Sequence, residues 1–177
     1  MRDERDRKAV LHLICGLPGS GKTTLAKELE AARGAVRFCP DEWIKEIWPP
    51  ETAETEGNAR RDQVEQLQWR IGRRFLREGA DIVIEWGTWG RDERLKLRDG
   101  AWAVGARVRF YLLDAPHETL KERILRRNKA PGRHEFLMPA ASLDADLRRY
   151  RRQMQFPQED ELRSYDEVAD PLDPHRQ

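Results

Sequence analysis

The segment VLHLICGLPGSGKTT, residues 10–24, decides the fold class of this chain of 177 residues. Its first part, residues 10–15, is a nearly continuous apolar run, which is typical of a strand buried on both faces of a sheet. A glycine-rich turn follows at residues 16–21, and the pattern from Lys22 onward predicts an amphipathic helix. A strand, a glycine-rich turn and a helix in this order predict the first unit of an α/β fold with a mainly parallel sheet.

The turn itself matches the pattern G-x-x-x-x-G-K-[ST] at residues 16–23. Its glycines let backbone N–H groups point at an oxyanion, and the helix that follows adds its N-terminal dipole. In this pattern the Lys22 ammonium reaches the β- and γ-phosphates of a nucleotide, and the Thr23 hydroxyl binds Mg²⁺. We therefore expect ATP and Mg²⁺ at this loop. The residues expected to hold the nucleotide are Gly16, Leu17, Pro18, Gly19, Ser20, Gly21, Lys22, Thr23 and Thr24.

The choice of ATP over GTP rests on an element that the chain lacks. Guanine recognition would require Asn-Lys-x-Asp after a strand, and the nearest match, NKAP at residues 128–131, has no aspartate.

Outward from this segment, strands alternate with helices along the chain. Residues 51–58 are polar and predict a loop, and residues 129–139 predict an irregular basic loop. Further strands are predicted at residues 35–39, 81–85 and 108–113, with a short fifth near Val168. Helices are predicted at residues 22–32, 42–47, 59–78, 91–104, 114–128 and 142–154. In such a fold, ligands bind beyond the carboxyl ends of the strands.

Composition excludes several classes of protein. Lysine plus arginine total 33 and aspartate plus glutamate 32, so the net charge is +1 and bulk attraction to nucleic acid is not expected. No apolar run reaches the roughly 18 residues of a membrane helix, and the charged N-terminus does not resemble a secretory signal. Cys15 and Cys39 do not have the spacing of a disulfide scaffold or a zinc site. We expect a single cytoplasmic domain over residues 1–177, with a lid at about 123–142 and an unassigned tail from about 157.

Carboxylates follow the second and third predicted strands. Asp41 is expected to act as a general base on a hydroxyl acceptor, although it is also placed to cap the next helix. Glu85 is expected either to hold Mg²⁺ or to contact the acceptor, and Thr88 and Arg91 are further acceptor candidates.

Arginines cluster near the predicted lid. A mobile arginine can neutralise the charge that spreads over a transferring phosphoryl group, so at least one of them is expected to serve the phosphates. Arg123 and Arg127 share a helix face and are the named candidates. The alternative is a solvated basic face. The cluster comprises Arg123, Arg126, Arg127 and Arg133.

Tryptophans flank both acceptor motifs. They either form a stacking surface for a base or another ring, or they pack in the core. They are Trp43, Trp48, Trp86 and Trp89.

Three of these features together resemble a known family: the loop GLPGSGKTT at residues 16–24, Asp41 after the second strand, and EWGTW at residues 85–89. They are similar to the small P-loop kinases grouped as AAA-type ATP-binding proteins, a group close to the polynucleotide kinase 5′-kinase domain and to zeta-toxin and chloramphenicol phosphotransferase kinases. The resemblance spans about residues 10–157. It implies a parallel sheet of about five strands in the order 2-3-1-4-5, with helices on both faces and a lid, and ATP-dependent transfer to a hydroxyl with Asp41 as base. Glu85 departs from the aspartate that is usual at its position.

Three functional hypotheses remain open at this point. The first is a kinase that phosphorylates a hydroxyl of a small-molecule or nucleoside-like acceptor. The second is a polynucleotide 5′-hydroxyl kinase, in which Trp43 or Trp86 would stack on bases of single-stranded nucleic acid. The third is an ATP-binding switch or NTPase whose protein partner reads the nucleotide state through the tail.

Overall fold

Five parallel strands form one sheet, in the spatial order β2-β3-β1-β4-β5, in the computed structural model of the chain. This model describes residues 7–169, except for the side chains of residues 50, 54 and 58; the charged segment 1–6 and the end of the tail lie outside it. The order confirms the predicted P-loop kinase arrangement. The strands are β1 Val10–Gly16, β2 Val36–Phe38, β3 Ile82–Gly87, β4 Arg107–Leu113 and β5 Glu167–Ala169.

Helices connect the strands and cover the sheet. Within residues 7–169, no helix is both long and apolar enough to cross a bilayer. The helices are α1 Lys22–Arg33, α2 Pro40–Ile47, α3 Pro50–Arg77, α4 Arg91–Trp102, α5 His117–Lys129, α6 Leu143–Gln153 and α7 Glu159–Leu162.

The predicted loop at residues 51–58 is wrong, because α3 runs without interruption from Pro50. Proline is well tolerated in the first turn of a helix, where its missing N–H costs no hydrogen bond. Ala53 is buried, and a Cβ on Gly57 would lie only 3.2 Å from Ile44 of α2 and 3.3 Å from Phe136. This turn of α3 is therefore held by packing against α2 and the lid, which a polar sequence pattern does not reveal.

Side chains of the central strands alternate between two cores. Leu13 and Ile84 belong to the core under α3 and α4, whereas Ile14 and Val83 pack with Leu25 of α1. The apolar run of β1 is thus buried on both faces, as predicted.

The tail returns to the sheet. Its short strand β5 pairs with β4, where Val168 lies opposite Phe110, and the ring of Tyr165 stacks on Phe110 at 4.5 Å between centroids. The predicted fifth strand is confirmed. The tail is an integral part of the fold as far as residue 169.

Candidate active site

The glycine-rich loop between β1 and α1 adopts a conformation that depends on its glycines. A Cβ on Gly16 would lie 2.6 Å from the main-chain oxygen of Leu113, which is closer than a carbon atom can approach. Gly19 and Gly21 have φ angles of 79° and 104°, in the left-handed region that favours glycine. The loop thus has the backbone freedom that an anion-binding turn at a helix N-terminus requires.

Lys22 lies at the centre of the candidate site. Its Nζ donates a hydrogen bond to the main-chain oxygen of Leu17 at 3.0 Å. Burial lowers the pKa of Lys22 to about 8, while the charges of Glu85 and Asp41 oppose this shift and Arg127 adds to it. The charges of side chains on β3, α2 and α5 therefore all influence the pKa of this one ammonium group.

Glu85 projects from β3 toward the phosphate loop. Its side chain is 1% exposed and forms an ion pair with Arg37. Burial raises the pKa of Glu85, and Arg37, Cys39 and Thr23 oppose that rise. Within the described residues, its Oε2 atom has no hydrogen-bond partner.

The surroundings of Glu85 fit a divalent cation. Thr23 and the unpartnered carboxylate oxygen of Glu85 supply the hard oxygen atoms that Mg²⁺ prefers. Ligand atoms of Cys39, Glu42 and Glu85 also lie within 4.8 Å of one another. Thr23 and Glu85 are the residues that can hold the metal.

Arg37 is a site residue that the sequence reading missed. Its guanidinium donates to Glu42 at 2.6 Å and to Glu30 at 3.2 Å, as well as to Glu85, and its side chain is 8% exposed. It fixes the Glu85 carboxylate and balances its charge. In the sequence, the sign of this role is an arginine inside the short strand Val36–Phe38. Its ion-pair partners lie on three other elements, so the sequence alone does not identify them.

Asp41 lies in the first turn of α2, and its carboxylate pairs with Arg61 of α3. Arg61 also approaches Glu65 at 3.7 Å. Cys39 is the N-cap of α2, so Asp41 does not cap this helix. Arg61 and Glu65 were not predicted, because they come from a helix whose polar face looks solvated in the sequence.

The turn after β3 and the start of α4 carry two further acceptor candidates. Thr88 is 2% exposed, has a φ of 45°, and donates its hydroxyl to the main-chain oxygen of Ile14 at 3.3 Å. Arg91 is exposed and pairs with Asp160 of the tail. Both residues therefore have structural partners, and their contact with an acceptor stays a prediction.

The lid arginines take different positions. Nη1 of Arg123 lies 3.4 Å from the main-chain oxygens of Gly19 and Ser20, on the phosphate loop. Arg127 is half-buried and donates a hydrogen bond to the main-chain oxygen of Phe136 at 3.3 Å. Its charge helps to lower the pKa of Lys22. Arg123 thus contacts the phosphate loop and Arg127 lies near Lys22; Arg123 and Arg126 are exposed, whereas Arg127 is half-buried.

The irregular loop of the lid docks on α2. Lys45 donates to the main-chain oxygen of Glu135 at 2.8 Å, and its ammonium lies 4.3 Å from the centre of the Phe136 ring. Glu46 forms ion pairs with Arg133 at 2.9 Å and with His134 at 2.6 Å. The lid thus covers the helix that carries Asp41.

All four tryptophans pack against core residues. They are partly buried, which supports the core-packing alternative over an open stacking surface. The ring of Trp48 also lies 4.9 Å from the guanidinium of Arg60. The four are Trp43, Trp48, Trp86 and Trp89.

Solved structures share this fold at low sequence identity. A gluconokinase from Sinorhizobium meliloti 1021 has a TM-score of 0.59 at 21% identity, with 93% of this chain and 83% of that chain covered. Chaetomium thermophilum Kti12 in complex with ADP-AlF3 has a TM-score of 0.60 at 17% identity, with coverages of 84% and 81%. The Pnkp1/Rnl/Hen1 RNA repair complex contains a chain with a TM-score of 0.62 at 18% identity, covering 85% of this chain and 47% of that one.

The sequence comparisons give one further result each. Among curated proteins, none matches the chain significantly. The AAA domain family model AAA_33 matches residues 11–153, which include the phosphate loop, Asp41, Glu85 and the loop at residues 129–139. The chain therefore belongs to the AAA_33 family of AAA domains.

Proposed function

We propose that the protein is an ATP- and Mg²⁺-dependent kinase that transfers the γ-phosphoryl group to a hydroxyl of a small-molecule or nucleoside-like acceptor. The observation that carries this proposal is the convergence on Lys22. The charges of Asp41 and Glu85 raise the pKa of Lys22 and that of Arg127 lowers it, and the three side chains come from three different elements. Lys22 carries the ammonium group that a phosphate loop directs at the β- and γ-phosphates.

In this proposal each group has one task. The loop amides and Lys22 bind the phosphates, and Arg127 neutralises charge on the transferring group. Asp41 orients the acceptor hydroxyl and accepts its proton, while Arg61 fixes the direction of the carboxylate. Mg²⁺ held by Thr23 and Glu85 would supply charge neutralisation on the phosphate oxygens.

The lid supports a kinase over a simple hydrolase. Its contacts with Lys45 and Glu46 bring it over α2, and a closed lid excludes water that would otherwise compete with the acceptor.

The test is ATP turnover with Mg²⁺ against a panel of hydroxyl acceptors. The panel contains nucleosides, sugars, aminoglycoside- and chloramphenicol-like antibiotics, and single-stranded oligonucleotides. We expect ADP release that depends on one acceptor class and disappears in Lys22→Ala. ATP binding with no acceptor-dependent turnover would favour the switch hypothesis.

A polynucleotide 5′-hydroxyl is the second candidate acceptor, on the likeness to the RNA repair complex. This likeness supports the fold alone. The oligonucleotide arm of the panel tests it, because binding to a polynucleotide must weaken steeply as salt rises.

A further inference from the structure

One face of α3 carries polar groups and runs from the sheet toward Asp41. Arg61, Glu65 and Gln68 share this face, because residues three and four apart are neighbours on a helix. Gly72 continues the same face and packs on the sheet, where its Cβ would lie 2.9 Å from Ile82. Since α3 connects parallel strands, its N-terminal half extends past their carboxyl ends, next to Asp41.

Gln68 is the decisive residue of this face. Its exposure is 0%, yet neither its amide nitrogen nor its amide oxygen has a hydrogen-bond partner among residues 7–169. A buried amide without partners is costly and therefore rare in folded proteins. A ligand that supplies a donor and an acceptor would satisfy both atoms.

A second unpartnered donor lies on the same side of the sheet. The indole N–H of Trp86 is buried and also has no partner within the described part of the chain. Trp86 shares one face of β3 with Ile82 and Ile84, and Ile82 packs against α3. Gln68 and Trp86 thus lie on the same side of the sheet, one on a helix and one on a strand.

Negative charge is in excess around this space. Carboxylates of Asp41, Glu65 and Glu93 come from three helices, whereas the guanidinium of Arg61 is already paired with Asp41 and Glu65. Burial raises the pKa of Glu65 to about 7; Arg61 opposes this, and Glu93 with Asp62 adds to it. Burial likewise raises the pKa of Glu93. Arg61 is thus shared between Asp41 and Glu65, and for Glu93 the charge of Arg94 opposes the rise in pKa.

We propose that this acceptor wall, formed by Arg61, Glu65, Gln68, Trp86 and Glu93, binds a small polyhydroxy acceptor that carries an amino group. The ammonium group pairs with Glu65 and Glu93, and the hydroxyls bind Gln68 and Trp86. The inference rests on the proposed function and names its substrate class. Acceptors with phosphate or carboxylate groups are disfavoured, because they would meet like charge.

The experiment measures binding separately from transfer. Titration calorimetry in the presence of a non-hydrolysable ATP analogue and Mg²⁺ compares two matched sets: glucosamine, glucose and gluconate, and 2-deoxystreptamine and inositol. We expect at least one amino compound to bind about tenfold or more tightly than its neutral partner. Gluconate is expected to bind least.

Three variants test whether the preference for amino compounds depends on residues of the acceptor wall. Glu65→Gln and Glu93→Gln should each remove most of the preference for the amino compound, and neither is expected to impair folding, because the replacement is neutral and close in size. Gln68→Leu should weaken binding of amino and neutral compounds alike. Glu78→Gln, exposed at the opposite end of α3, is the matched control and should behave as wild type.

The outcomes separate the two proposals. Preference for the anionic compounds, a preference unchanged in Glu65→Gln and Glu93→Gln, or no binding of any compound would overturn the substrate class. An amino compound that binds in a way that depends on Glu65 and Glu93, but receives no phosphoryl group, would support the acceptor wall as a binding site and contradict the proposed kinase activity.

Discussion

Arg94 donates a hydrogen bond from Nη1 to the main-chain oxygen of Thr88 at 3.0 Å, from a position with no solvent exposure. The same guanidinium pairs with both carboxylate oxygens of Glu161 and bonds to the main-chain oxygen of Gln155. It therefore ties the tail to the turn that follows β3, where Thr88 adopts a φ of 45°. These contacts give Arg94 a structural role.

Replacing Arg94 with methionine should destabilise the fold severely. The change leaves the Glu161 carboxylate buried without its partner, which costs about 3–5 kcal/mol in comparable buried pairs. Urea unfolding measures the loss.

The double variant Arg94→Met/Glu161→Leu should recover much of this stability, because it removes both charges. Arg91→Met removes an exposed pair with Asp160 and a longer contact of 3.7 Å with Glu161, and it should cost less than Arg94→Met because Glu161 keeps Arg94. Equal losses of unfolding free energy in Arg94→Met and Arg91→Met would contradict the role of Arg94 as the buried partner of Glu161.

Glu65 should make the fold less stable as pH rises. Its pKa is about 7 in the folded chain against an ordinary value of 4.5, so the folded state binds more protons than the unfolded state between these values. The stabilisation is complete below pH 4.5 and is lost as pH rises through 7, by at most about 3 kcal/mol. Unfolding at pH 5 and pH 8 should show a smaller loss in Glu65→Gln than in wild type. Superimposable pH profiles of the two proteins would contradict the assignment.

Arg127 should contribute to phosphoryl transfer, whereas its neighbour Arg126 should not. Arg127 is half-buried and acts on Lys22, while Arg126 is exposed on the same helix. We expect Arg127→Ala to lower kcat at least about a hundredfold, the effect of removing one preorganised charge. Arg126→Ala is the matched control and should keep the wild-type kcat; similar kcat values in both variants would remove Arg127 from the mechanism.

Gly16→Ala should abolish nucleotide binding. The new Cβ would lie 2.6 Å from the main-chain oxygen of Leu113, so the start of the phosphate loop must shift. At Gly90, by contrast, a Cβ would meet its nearest neighbour at 3.7 Å, and Gly90→Ala should bind ATP as wild type does. Fluorescence titration with a labelled nucleotide compares the nucleotide affinities of the two variants. ATP affinity retained in Gly16→Ala would contradict the role of this loop geometry.

The sheet and its order were predictable because their signals are local. The apolar run of β1, the glycine-rich turn and the amphipathic α1 lie side by side in the sequence, and the resemblance they carry implies the order 2-3-1-4-5. Residues 51–58 failed as a prediction because packing against Ile44 and Phe136, far apart in sequence, decides their helix.

The candidate site was only partly predictable for the same reason. Lys22 and Thr23 are defined by a contiguous motif. Arg37 and Arg61, by contrast, become recognisable only when the fold brings Glu85 and Asp41 to them. A pattern of charges on a helix or strand does not reveal which charges face inward.

The most direct test of the central claim is the Asp41→Asn variant, assayed for both ATP affinity and phosphoryl transfer to the acceptor that the panel identifies. If Asp41 is the general base, ATP affinity stays near the wild-type value while the transfer rate falls by about a hundredfold or more. An Asp41→Asn protein that transfers the phosphoryl group at the wild-type rate would contradict the account.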